Sequence, residues 1–161
     1  MSIEPITRAL AFAAHPEAER LLEVALAAQA NAYAPYSGYH VGCALLGASG
    51  TIYAGCNVEN ASLGMTICAE RGAVMAAMAA GERSFVACLT VSPTKICGSC
   101  CGACRQVLFE FGPGMVIFNA SSQSDWIRVS NLAELLPAGF GPQLPTSPDQ
   151  STSQPRLRRR S

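Results

Sequence analysis

Eight cysteines occur among the 161 residues, and four of them, Cys97, Cys100, Cys101 and Cys104, fall within eight positions. Another, Cys68, opens the segment Cys68-Ala69-Glu70-Arg71 and stands 33 positions ahead of Cys101. Three thiolates from Cys68, Cys101 and Cys104 would suit a zinc ion and leave a fourth tetrahedral position open to water, which separates a catalytic site from a closed structural one. Glu70 is not needed to complete that coordination. It is available to move protons between water and a substrate, work for which a placed carboxylate contributes roughly 10²–10⁴ in rate. A lone glutamate at a helix start more often serves the helix dipole; the neighbouring cysteines reverse that preference.

The second cysteine block contains a register ambiguity, because Cys97-Gly98-Ser99-Cys100 repeats the spacing of Cys101-Gly102-Ala103-Cys104. The later pair is favoured, since Arg105-Gln106-Val107-Leu108 runs straight on into a helix while the earlier pair lies in a Gly/Ser loop. A structural site made from all four cysteines is the plainer metal reading, and the direct adjacency of Cys100 and Cys101 makes it awkward. A thioredoxin-like redox pair leaves Cys68 and Glu70 without a purpose. Three thiolates on a dication leave the centre net negative, so a cation should offset them, and Arg71 and Arg105 each adjoin a site residue. Upstream, Asn57-Val58-Glu59-Asn60 closes a strand whose period of two puts Asn57 and Glu59 on one face. An ordinary polar strand end is the simpler reading of that pair; aimed at a hydroxylated ligand, it would read a sugar.

These groups need elements to hold them. Residues 17–32 place Leu21, Leu22, Ala25, Leu26 and Ala28 at helical spacing behind a charged first half, predicting an amphipathic helix after Pro16. Pro35 and Gly38 then force a loop. Residues 41–46 and 51–58 are β-prone runs separated by Gly47-Ala48-Ser49-Gly50, an antiparallel hairpin. Helices are expected over 69–80 and 102–111, the second stopped by Gly112-Pro113-Gly114. Strands are expected over 85–91, 115–118 and 126–129, and a short helix over 132–136 with Asn131 as its cap. Both ligand blocks therefore sit at helix starts, where free amides and the positive helix ends favour thiolate. A helix, a hairpin and then helices alternating with strands imply a three-layer α/β/α fold around one mixed sheet.

Composition narrows the function classes. Half the residues are hydrophobic and 14% are charged, which excludes disorder for the main body. Residues 1–140 are expected to form a single domain. From Gly141 onward, Pro142, Pro145, Pro148, Pro155 and a run ending in Arg158-Arg159-Arg160 predict a disordered tail. Without that tail the chain carries 7 basic and 10 acidic side chains, so it lacks the cationic field that tracks a phosphate backbone. Nucleic acid is therefore not expected as the main partner; a small molecule is. No charge occurs between Val24 and Val58, but Gln29, Asn31, Pro35 and His40 interrupt the run, so no membrane span is expected. Ala9–Ala14 is shorter than a signal-peptide core and Glu4 precedes it. Scattered and clustered thiols together suit a reducing, cytoplasmic setting.

Five ordered blocks resemble the small, homotetrameric, zinc-dependent cytidine deaminases: Tyr33-Ala34-Pro35-Tyr36-Ser37, Gly55-Cys56-Asn57-Val58-Glu59-Asn60-Ala61-Ser62, Cys68-Ala69-Glu70-Arg71, Cys101-Gly102-Ala103-Cys104-Arg105-Gln106-Val107-Leu108 and Leu135-Leu136-Pro137. The resemblance covers about residues 20–145. It implies hydrolytic deamination of cytidine and 2′-deoxycytidine, with Zn²⁺ on Cys68, Cys101 and Cys104 and Glu70 as proton carrier. It also implies that Arg71 partly neutralises the sulfurs, that Asn57 and Glu59 bind the ribose, and that Tyr39 stands near the pyrimidine where the family usually has Phe. Phe140 matches an aromatic that reaches into a neighbouring subunit's base pocket, so a homotetramer with shared sites is implied. Three positions depart from the pattern: Cys100 replaces a usual Pro, Leu63 a usual aromatic, and Gly72 a usual Thr. None removes a group the reaction needs. Competing readings are a related deaminase acting on another base or nucleoside, such as blasticidin S, and a non-catalytic zinc-binding scaffold.

Overall fold

A computed structural model describes residues 4–141; residues 142–161, the greater part of the expected tail, lie outside the described residues. Six strands form one sheet in the order β1-β6-β5-β4-β2-β3. They are β1 (Ile6–Thr7), β2 (Gly42–Gly47), β3 (Ile52–Cys56), β4 (Phe85–Ser92), β5 (Val116–Ser121) and β6 (Trp126–Asn131). Only β4 and β5 run parallel; every other neighbouring pair is antiparallel. The sheet is therefore mixed, as the element order implied.

Helices cover both faces. On one side lie α1 (Arg8–Ala14) and α2 (Glu17–Gln29), whose Ala11, Leu21, Leu22 and Ala25 pack with Leu89, Val91, Phe118 and Ile127 of the sheet. On the other lie α3 (Ala69–Ala79), α4 (Gly102–Phe111) and α5 (Leu132–Leu135), closing over Cys43, Leu45, Cys88 and Ile117. Alternation along β4 and β5 sends consecutive residues to opposite cores. Burial on both faces follows, giving the expected three layers.

Glycines set how closely the layers approach. A Cβ on Gly42 of β2 would stand 1.9 Å from the Ala25 carbonyl oxygen of α2, and one on Gly55 of β3 would stand 2.3 Å from the Ala73 nitrogen of α3. Neither distance is sterically possible for a side chain. Gly55 thereby lets the helix that carries Glu70 lie directly on the hairpin.

Several boundaries differ from the expectation. Helix α2 stops at Gln29 rather than Ala32, because the amides of Asn31 and Ala32 turn back to Ala28 and Gln29 in tight i→i+3 bonds ahead of Pro35. Strand β3 ends at Cys56, and beyond it the ladder gives way to isolated bridges from Val58 to Tyr33 and Ile67. Helix α1, where the sequence offered only a short apolar run, forms by laying Ala11 and Phe12 on the α2 side of the core. Strand β5 runs three residues past Phe118, because Asn119 and Ser121 are polar yet buried, at 2% and 0% exposure. The Asn131 cap is formed: its Oδ1 accepts from the Ala133 amide at 2.9 Å.

Candidate active site

The amino ends of α3 and α4 converge beside the carboxyl ends of the parallel pair β4 and β5. Cys68 is the N-cap residue of α3 and Cys101 that of α4, where the Cys104 amide donates to the Cys101 sulfur at 3.5 Å. Unpaired amides and the positive ends of both helices therefore face the sulfurs. Cys68 Sγ lies 3.9 Å from Cys101 Sγ, Cys101 Sγ lies 3.4 Å from Cys104 Sγ, and all three fall within 4.8 Å of one another. An ion bonded at about 2.3 Å to two sulfurs at a tetrahedral angle holds them roughly 3.8 Å apart. The donor set and its spacing fit zinc.

The register is also resolved. Cys97 directs its thiol to the Trp126 carbonyl at 3.2 Å, and Cys100 turns inward to Asn119 Oδ1 at 3.8 Å and Thr90 Oγ1 at 3.9 Å. Neither joins the cluster of three. Arg71 supplies the expected cation, its Nη2 donating to Cys68 Sγ at 3.4 Å and to the Thr66 carbonyl at 3.1 Å. Arg105 does not share that role: it binds the carbonyls of Cys100 and Leu135 and the Ser99 hydroxyl, each at 2.9 Å. Its guanidinium fork closes the loop before Cys101 onto α5 and leaves the sulfurs to Arg71.

Electrostatics separate the sulfurs. Hydrogen bonding from Cys104, with Arg71 and Cys101 assisting against the effect of burial, draws the Cys68 thiol down to about 5. The interaction with Cys68 pushes Cys104 up, and burial adds to it. Glu70 is 4% exposed, and burial raises its carboxyl above the ordinary range. Its Oε2 lies 3.5 Å from Cys104 Sγ, beside the trio and outside it. A carboxyl group so placed can hold and release a proton next to the metal position.

A pocket opens above this floor, walled by Tyr39, Val41, Asn57, Thr90, Ser99 and Asn119, with Cys68, Glu70 and Cys101 at its base. Asn57 is buried, and its amide is committed to the wall: Oδ1 accepts from the Val41 amide and Nδ2 donates to the Tyr39 carbonyl, both at 2.8 Å. Glu59 does not share a strand face with it, because β3 has already ended. Its carboxylate instead accepts from the amides of Tyr36 at 2.9 Å and Ser37 at 3.2 Å, and from the Ser37 hydroxyl. Those bonds, the Ser37 hydroxyl foremost, hold its pKa below the usual carboxylate value. Asn57 and Glu59 together shape residues 36–41 at the pocket mouth.

Phe140 is 88% exposed and stands outside the pocket, its carbonyl accepting from Gln106 Nε2. Leu63 is exposed in a short 3₁₀ turn, and Gly72 faces the Cys56 carbonyl across the α3–β3 contact. The sequence reading missed the polar pocket residues of β4 and β5. Thr90 and Ser92 of β4 and Asn119 of β5 line the pocket and, like Ser121 beyond it, alternate with buried apolar neighbours, so period-two polar positions at the ends of apolar strands were the available signal.

An α/β domain with three sulfurs spaced for zinc and a buried glutamate beside them but outside the group defines a metal-dependent hydrolase. The model of the family described as cytidine and deoxycytidylate deaminase zinc-binding region matches residues 15–120, and the chain belongs to that family. It is 45% identical over 125 residues to a cytidine deaminase of Sporosarcina psychrophila, covering 77% of this chain and 91% of that one. A cytidine deaminase of Mycobacterium tuberculosis strain H37Rv is 40% identical over 114 residues, covering 71% and 82%. Among solved structures, cytidine deaminase from Burkholderia pseudomallei superposes with a TM-score of 0.72 at 46% identity, covering 76% of this chain and 98% of that one.

Proposed function

We propose that this chain hydrolytically deaminates cytidine and 2′-deoxycytidine to uridine and 2′-deoxyuridine, releasing ammonia. The observation that carries the reading is Glu70, buried at the base of the pocket beside the sulfur trio but not part of it. Cys68, Cys101 and Cys104 would hold the zinc. When bound, the ion supplies a Lewis acid that lowers the pKa of water toward about 7.

The remaining work falls to this chain's own groups. Glu70 takes a proton from the attacking water, delivers it to N3 of the pyrimidine as oxygen adds to C4, and then carries the second proton to the departing amino group. Water and cytidine thus become uridine and ammonia, with the carboxylate restored. Arg71 fixes Cys68 and offsets part of its charge. Tyr39 and Val41 flank the base. Asn57 has a second Nδ2 hydrogen for a sugar hydroxyl, and Glu59 shapes the loop beside it.

Exposure of Phe140, with no place in its own chain's pocket, supports a homotetramer in which that ring closes a neighbour's site. Eight free cysteines support a reducing, cytoplasmic setting, and no helix among the described residues is long and apolar enough to cross a membrane. Zinc content and cytidine turnover measured on one preparation test the reading. Loss of absorbance with matching ammonia release is expected; bound zinc without ammonia release would refute it.

A further inference from the structure

The polar ends of β4 and β5 are not equally occupied. Ser92 accepts from the Gly98 amide at 3.3 Å and pairs with Thr94 at 3.2 Å, while Ser121 donates to the Thr94 carbonyl and accepts from the Gln123 amide at 2.9 Å. Both hold the loop after β4. Asn119 differs. It is 2% exposed, lines the pocket beside its parallel-strand partner Thr90, and uses only Oδ1, which takes the weak thiol bond from Cys100 at 3.8 Å. Its Nδ2 hydrogens meet no acceptor among the described residues. Among the described residues, the buried side-chain atoms left without a partner are Arg8 Nε, Arg71 Nε and Ser130 Oγ; Asn119 Nδ2 is not one of them and keeps access to the pocket, where a donor that meets no protein acceptor is available to a ligand.

Ring geometry says which part of the ligand meets it. In a pyrimidine, N3 and C5 flank C4 on opposite sides. With C4 at the sulfurs, N3 at Glu70 and the sugar on N1 directed to Asn57, C5 turns to the remaining wall. Cys100 contacts both Glu70 and Asn119, so the carboxyl and the carboxamide are held near one buried thiol, and both line the pocket.

We propose that Asn119 is a specificity residue whose Nδ2 donates to a hydrogen-bond-accepting substituent on C5, so that the site takes 5-hydroxymethyl pyrimidine nucleosides in preference to apolar analogues of the same shape. The proposal rests on the deaminase reading and adds a substrate class to it. Thr90 borders the same space, but its hydroxyl already faces the Cys100 sulfur.

The test uses the zinc-loaded full chain with 5-hydroxymethylcytidine and 5-ethylcytidine, which differ by a hydroxyl in place of a methyl. Wild type is expected to favour the hydroxymethyl substrate by about tenfold in kcat/KM, and Asn119→Leu to bring the ratio to one or below. Competitive inhibition of the wild-type enzyme by 5-hydroxymethyluridine and 5-ethyluridine should show the same preference without any substitution. Cytidine turnover with a wild-type ratio of one or less, or a ratio unchanged in Asn119→Leu, overturns this assignment alone. No turnover of cytidine itself overturns it together with the deaminase reading.

Discussion

Glu70 Oε2 and Cys104 Sγ stand 3.5 Å apart, although their side chains come from two helices, α3 and α4. Carboxyl and sulfur are neighbours with different roles, since the first is buried and raised in pKa while the second belongs to the metal cluster. Glu70→Gln keeps the shape and removes the titrating oxygen. Zinc stoichiometry should stay unchanged while kcat falls by roughly 10²–10⁴. Elemental analysis beside steady-state kinetics checks both halves, and an unaltered kcat would remove Glu70 from proton transfer.

The metal register separates two cysteine pairs of identical spacing. Cys104→Ser should lose zinc, whereas Cys97→Ser should retain it, because the Cys97 thiol is bonded to the Trp126 carbonyl instead of the cluster. Stoichiometry after dialysis decides, and zinc loss from Cys97→Ser would reverse the assignment.

Arg71 touches one ligand through Nη2 and buttresses the loop before it through the Thr66 carbonyl. Arg71→Ala should weaken zinc binding by roughly 10–100-fold. Competition against a chromogenic chelator reads the change directly; Arg105→Ala, whose guanidinium meets no sulfur, serves as the contrast.

Glu59 has a lowered pKa because its carboxylate accepts from Ser37 and Tyr36. A depressed carboxyl stabilises the fold in its charged form, so its support for residues 36–37 is complete at neutral pH. That support is lost as pH falls through the folded value, below the ordinary carboxylate range. Amide hydrogen exchange at Tyr36 and Ser37 should therefore lose protection in that acid window, and Glu59→Gln should lose part of it at neutral pH. Equal protection in variant and wild type at neutral pH would show that the loop does not depend on the charge.

Gly55→Ala places a methyl 2.3 Å from the Ala73 nitrogen and 2.4 Å from the Ala69 carbonyl oxygen. Backbone on backbone cannot yield locally, so α3 must lift from β3. A loss of about 1–3 kcal/mol or more is expected in urea unfolding, accompanied by reduced turnover, since Glu70 rides on the displaced helix.

Elements and metal ligands were legible in the sequence for different reasons. Helix α4 matched residue for residue, because a cysteine cap, an apolar run and Gly112-Pro113-Gly114 punctuate it from both sides. Cys68, Cys101 and Cys104 were legible because thiolates carry their chemistry with them wherever they are placed. Asn57 and Glu59 were legible as polar residues, but their partners are backbone amides and carbonyls and the Ser37 hydroxyl of a loop some twenty positions away, which strand periodicity cannot reveal. Arg105 illustrates the same limit. Adjacency to Cys104 made it a candidate for neutralising charge, and helix geometry pointed it at carbonyls instead. Asn119 was hidden by the rule that ends a strand where apolar residues stop, a rule that fails where a pocket gives buried polar groups something to face.

The sulfurs of Cys68 and Cys101 belong to stretches 33 residues apart, and α3 and β4 lie in the span between them. An ion joining the two is also a removable cross-link at the base of a long loop, and closing such a loop restricts the unfolded chain by about (3/2)RT ln n plus a constant. Resistance to heat and occupancy by metal are consequently one linked equilibrium, in which the melting temperature climbs with the concentration of free zinc.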